Sequence, residues 1–143
     1  MIDALEDSSS VIEGARRQSG SHPYGILIVD DEEDLVATLD YNVRREGYQT
    51  RTAHTGSKAL EAARREPHPD LILLDVMMPE LDGYELCRRM RAEPSLATIP
   101  IIFLSALGSA DDTLRGFEAG AVDYVTKPLR LGELVARIGT HLK

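Results

Sequence analysis

Four short apolar runs, each closing on a polar side chain, constrain the fold of this chain more than any other feature. They are Ile26-Leu27-Ile28-Val29 before Asp30 and Asp31, Leu71-Ile72-Leu73-Leu74 before Asp75, Ile101-Ile102-Phe103-Leu104 before Ser105, and Tyr124-Val125-Thr126 before Lys127. Unbroken runs of this length suit strands of a sheet covered on both faces, whereas a half-exposed sheet needs alternation. Amphipathic segments separate them. The first, over 33–46, places Leu35, Val36, Leu39 and Val43 on one face and stops at Gly47. Strands are predicted at 25–29, 48–53, 71–75, 101–105 and 123–126, and helices at 33–46, 56–65, 84–92, 110–119 and 131–142. Five strand–helix units joined by right-handed crossovers make a doubly wound α/β domain with a parallel sheet.

With 143 residues, the chain has room for one domain with a real core. The boundary is expected near residue 24. Residues 1–24 mix Asp3, Glu6, Asp7 and Glu13 with Ser8-Ser9-Ser10 and a Ser-Gly-Ser-His-Pro stretch, the composition of a flexible tail. A short helix over 11–18, capped by Ser10, is the one element it could hold. Residues 25–143 form the folded domain, and no output domain is expected after the last helix. No apolar run reaches the roughly 20 residues that span a bilayer, so no membrane partner is expected. The formal net charge of -8 argues against a nucleic-acid surface, which needs a basic patch. Cys87 is the single cysteine, cannot form an internal disulfide and suits a cytoplasmic location. It is expected to be a half-buried helix residue.

In an open parallel α/β sheet, ligands bind at the carboxyl ends of the strands. Asp30, Asp31, Asp75, Ser105 and Lys127 therefore meet at one edge. Three neighbouring carboxylates repel one another, and burial without a partner raises their pKa. An all-oxygen set relieves that conflict by holding a hard divalent ion such as Mg²⁺, which leaves positions for phosphate oxygens. Asp75, on the central strand, is the candidate nucleophile, because a carboxylate can accept a phosphoryl group as an acyl phosphate. Lys127 supplies an ammonium to neutralise the transferring group, and Ser105 a hydroxyl to donate to it. Singly, each residue also fits an ordinary role: Asp30-Asp31 a helix cap or turn, Ser105 a strand end, Lys127 a solvated loop. Their recurrence at the same end of successive strands carries the reading.

Those motifs, Asp30-Asp31-Glu32, Asp75-Val-Met-Met-Pro79 with Asp82-Gly83, Ser105-Ala106 and Asp123-Tyr124-Val-Thr-Lys127-Pro128, resemble the receiver domain of two-component response regulators. The resemblance runs from about residue 25 to 142. It implies a flavodoxin-like (βα)5 fold with strand order 2-1-3-4-5, and Mg²⁺-dependent phosphoryl transfer onto Asp75. The donor it implies is a sensor histidine kinase or a histidine phosphotransfer protein. By the same resemblance, Asp31, Asp75 and the Met77 backbone carbonyl ligate Mg²⁺, with Asp30 acting through a metal-bound water. Ser105 and Lys127 hold the phosphoryl group. Tyr124 is the switch aromatic that moves inward when Ser105 turns toward the phosphate, and the bond before Pro128 is cis. Such a domain catalyses only its own phosphorylation and dephosphorylation, and is not otherwise an enzyme.

Output is expected from helix four, strand five and helix five, which also form a homodimer face in some receivers. Asp123 and Arg137 match one salt-bridge pattern of that dimer, while Gly132 stands where such dimers often carry a basic residue. Two rivals come from other classes. A phosphatase of the haloacid dehalogenase type wants Asp-x-Asp and its nucleophile after the first strand, which this chain lacks. A degenerate, phosphate-independent receiver would lack one of the required residues, and none is missing.

Overall fold

The structure is a computed structural model and describes residues 23–142; residues 1–22 of the tail expected over 1–24, with its candidate helix, lie outside the described residues. Ten elements follow one another: β1 (Gly25–Val29), α1 (Glu33–Arg45), β2 (Gln49–Ala53), α2 (Gly56–Arg64), β3 (Leu71–Asp75), α3 (Gly83–Ala92), β4 (Ile101–Ser105), α4 (Ala110–Ala119), β5 (Asp123–Thr126) and α5 (Leu131–Leu142). The strands form one parallel sheet in the order β2-β1-β3-β4-β5. This is the flavodoxin-like arrangement expected from the sequence.

Alternate residues of the same apolar runs feed two cores. Leu27, Val29, Ile72, Leu74, Ile101 and Phe103 face α2, α3 and α4. Ile26, Ile28, Leu71, Leu73, Ile102 and Leu104 face α1 and α5, whose Val36, Leu39, Leu134 and Ile138 are buried against them. Every residue of β3 and β4 is buried, which is why those runs read without alternation. Leu35 lies only half-buried at the margin of the α1 stripe. No helix among the described residues is long and apolar enough to cross a membrane.

Helix ends are set by side chains the apolar pattern does not register. Thr55 accepts from the Lys58 N–H at the start of α2, and Asp82 accepts from the Glu85 N–H at the start of α3. The Asp82 cap begins α3 at Gly83, one residue earlier than the hydrophobic spacing alone predicts. Ser109 and Asp112 form a reciprocal capping box on α4, and Gly120 closes it in the left-handed region at φ 113°. The Lys127–Pro128 bond is cis, as is Glu66–Pro67.

Cys87 departs from expectation. It is fully buried in the α3 stripe with Tyr84, Leu86 and Met90, and its Sγ donates to the Ala119 carbonyl at 3.3 Å. Burial pushes its thiol pKa up, which removes it from thiolate chemistry.

Candidate functional site

Strand register builds the site. Val29 pairs with Leu74, so Asp30 emerges from β1 beside Asp75, the last residue of β3. Asp75 pairs with Leu104, and Ser105 pairs with Thr126, the residue before Lys127. Four strand ends thus deliver Asp30, Asp31, Asp75, Ser105 and Lys127 to one edge. Asp30 and Asp75 are buried and Asp31 is exposed, and one carboxylate oxygen from each lies within 4.8 Å of the others. A shallow groove lined by Asp31, Met77, Leu107 and Arg115 runs beside them.

The sequence placed Lys127 here but not its partners. Its ammonium lies 3.0 Å from Asp30 Oδ2, 3.2 Å from Glu32 Oε1 and 3.7 Å from Asp75 Oδ1. Glu32 is the site residue that the motif displayed without revealing its role; as the third acid of the run, it sits where α1 begins and reaches across to the lysine. Burial works against the charge on Lys127, yet Asp30, Asp75 and Glu32 hold its pKa above the ordinary value. One ammonium does not balance the acids. The Asp75 carboxyl is pushed up to about 6, first by burial and then by the Asp30 and Asp31 charges, against the opposing pull of Lys127 and the Met77 N–H. That Met77 N–H donates to Asp75 Oδ1 at 3.3 Å, while the Met77 side chain stands 57% exposed.

Ser105 is fully buried, and its Oγ accepts from the Leu107 N–H at 3.0 Å. Tyr124 already stands inward. Its hydroxyl donates to the Leu107 carbonyl at 2.7 Å and its ring packs on Phe103 at 5.9 Å. Asp123 and Arg137, matched by resemblance to a salt-bridge pattern of a dimer, pair within the chain at 2.8 and 3.0 Å. Burial raises the Asp123 pKa, but hydrogen bonds from Arg137, the Tyr124 N–H and His141 outweigh it and hold the carboxyl below its usual range. Leu114 and Phe117 on α4 and Val122 before β5 are exposed.

The donor set fits a hard divalent cation: only oxygens, an excess of negative charge, and a buried carboxylate whose ionisation is held back for want of a counter-charge.

Comparison with known proteins agrees with this geometry. Residues 26–139 match the model of the response regulator receiver domain. The chain is 46% identical over 118 residues to the alkaline phosphatase synthesis transcriptional regulatory protein PhoP of Bacillus subtilis (strain 168), covering 82% of this chain and 48% of that protein. It is 43% identical over 118 residues to the phosphate regulon transcriptional regulatory protein PhoB of Rhizobium meliloti (strain 1021), covering 82% and 52%. It thus spans about half the length of these curated relatives. Among solved structures, the signal receiver domain of a signal transduction histidine kinase from Syntrophus aciditrophicus is similar at 39% identity and a TM-score of 0.76, covering 83% of this chain and 89% of that one.

Proposed function

This chain belongs to the response regulator receiver domain family, and from that premise we propose that Asp75 accepts a phosphoryl group from the phosphohistidine of a histidine kinase or phosphotransfer protein. One observation carries the reading. Asp75 is the carboxylate that both the acidic pair and the Lys127 ammonium approach, at the end of the central strand.

An Asp75 carboxylate oxygen attacks phosphorus, the P–N bond to the donor imidazole breaks, and its electron pair stays on the ring nitrogen. Asp31, Asp75 and the Met77 carbonyl would hold Mg²⁺ with Asp30 beside them, and the cation supplies the positive charge that the site lacks. Lys127 is placed to leave Glu32, its exposed partner, and neutralise the incoming group. Ser105, whose oxygen accepts from Leu107, keeps its own proton free to donate to a phosphoryl oxygen. The chain turns over only its own phosphoryl group, and the exchange belongs to the cytoplasm. The two curated relatives are named as transcriptional regulatory proteins, which supports transcription control as the output of a longer protein.

Beryllium fluoride with Mg²⁺ mimics the bound phosphoryl group and tests the site. Saturable shifts are expected in the backbone amide signals of Asp75, Met77, Ser105 and Lys127, and their absence in the presence of excess Mg²⁺ would contradict the assignment.

Signal lifetime follows from the flanking residues. Met77 and Leu107 border the site and carry no group able to orient a hydrolytic water. Phosphoryl loss is therefore slow, and Leu107→Gln should shorten its lifetime several-fold. An unchanged decay rate, followed by mass spectrometry, would sink this point.

A further inference from the structure

Tyr84 has no role in the site described above, yet it lies at a junction of the fold. It is the second residue of α3, is 2% exposed, and packs edge-on against Phe103 with centroids 5.3 Å apart. Its buried hydroxyl lies 3.0 Å from the Asp112 carbonyl in the first turn of α4 and 3.4 Å from the Tyr124 hydroxyl, and its one proton is shared between these two acceptors. The Tyr124 proton goes to the Leu107 carbonyl, and the Leu107 N–H goes to Ser105 Oγ. A continuous polar path therefore joins α3, the start of α4, the switch aromatic and the hydroxyl at the phosphoacceptor edge.

The seat of Tyr124 is built from several sides. Gly116 forms its floor: a Cβ there would stand 2.7 Å from Tyr124 Cδ2, so the ring fits only because α4 has no side chain at that point. Phe103 forms a wall. Arg115 covers the Tyr84 ring, its guanidinium carbon 4.4 Å from the centroid. Burial and the Tyr124 hydroxyl both push the Tyr84 phenol pKa up, so it stays a neutral donor.

We propose that Tyr84 is a positioning residue of the switch: its hydroxyl holds Tyr124 inward and ties the start of α4 to it, setting part of the output face before any phosphoryl group arrives. The consequence for phosphorylation rests on the function proposed above; the structural part does not. A receiver already seated inward has less to rearrange on phosphorylation, so loss of this anchor slows acceptance of the group.

The test uses the whole chain with ¹³C-labelled tyrosine rings, whose five residues are assigned by Tyr→Phe variants. In Tyr84→Phe, which removes one oxygen and keeps the ring, the Tyr124 resonance should move toward the position of a solvated tyrosine. In the reciprocal Tyr124→Phe, the Tyr84 resonance should move, which preserves the test if Tyr84→Phe folds poorly. With acetyl phosphate and Mg²⁺, Tyr84→Phe should be phosphorylated about 3- to 10-fold more slowly, the scale of one neutral hydrogen bond. That slowing should vanish in a Tyr124→Phe background, because the two act through one contact. Tyrosine resonances that ignore each other's hydroxyl overturn the proposal. So does an equal slowing in the Tyr124→Phe background, which would mean that the Tyr84 hydroxyl acts through the Asp112 carbonyl and not through Tyr124. If the unaltered chain takes no phosphoryl group, the phosphoacceptor reading fails and the ring resonances still decide the anchor.

Discussion

With divalent cations chelated, Asp75→Asn should be more stable than the unaltered chain at neutral pH, by on the order of 2 to 3 kcal/mol. The Asp75 pKa rises from its ordinary 3.8 to about 6 in the folded chain, so the folded state binds this proton more tightly than the unfolded state. Its contribution to stability is fully present below the ordinary value and is lost as pH rises through about 6. Above that range, the fold carries an ionised, buried carboxylate beside Asp30 and Asp31. Asparagine keeps the shape and removes the charge. Asp123 titrates with the opposite sign, since its pKa is depressed and its contribution is lost as pH falls. That contribution is common to both proteins and cancels in the comparison. Urea unfolding from acid to neutral pH would show the two curves converging at low pH and separating as Asp75 ionises. Mg²⁺ should then stabilise the unaltered chain and do less for Asp75→Asn. A variant that is less stable at neutral pH, or a difference independent of pH, would contradict this electrostatic account.

Gly83→Ala should have the opposite sign and a similar size, a loss on the order of 3 kcal/mol. Alanine normally favours a helix over glycine by about 1 kcal/mol. Here the added Cβ would stand 2.3 Å from the Asp75 carbonyl oxygen and 2.9 Å from Val76 Cα. Both are backbone atoms, so no rotamer change relieves the contact. The start of α3 must retreat from the end of β3, breaking the 2.7 Å bond from the Gly83 N–H to the Val76 carbonyl. The Asp75 carboxylate would move with it, so Mg²⁺ affinity should fall together with stability. Gly132→Ala and Gly139→Ala are the controls. Neither would meet an atom within 4 Å, and both lie inside α5, so each should leave stability unchanged or raise it. Equal effects at all three positions would show that the Asp75 contact is not the cause.

These two predictions mark where reading the sequence succeeds and where it stops. The strands at 71–75 and 101–105 were legible because both faces of the sheet are covered, so burial leaves an unbroken apolar run. Asp30, Asp75, Ser105 and Lys127 were legible because each follows such a run, and parallel strands bring their carboxyl ends to one edge. What escaped depends on the reach of side chains across elements. Glu32 reaching Lys127 and Tyr84 meeting Tyr124 both join residues that no periodicity connects. The spacing Tyr84, Cys87, Met90 did contain the burial of Cys87, but the neighbouring Arg88 and Arg89 made that stripe look narrower than it is. The crowding at Gly83 was invisible for a further reason: a missing side chain leaves no mark in a hydrophobic pattern.

The central claim is that Asp75 accepts the phosphoryl group and needs a divalent cation to do so. Intact mass after incubation with acetyl phosphate and Mg²⁺ tests it most directly, with Asp75→Asn and a chelated sample run in parallel. The account predicts the mass of one added phosphoryl group in the unaltered chain, and none in the variant or the chelated sample. Addition that persists in Asp75→Asn, or without any divalent cation, would contradict it.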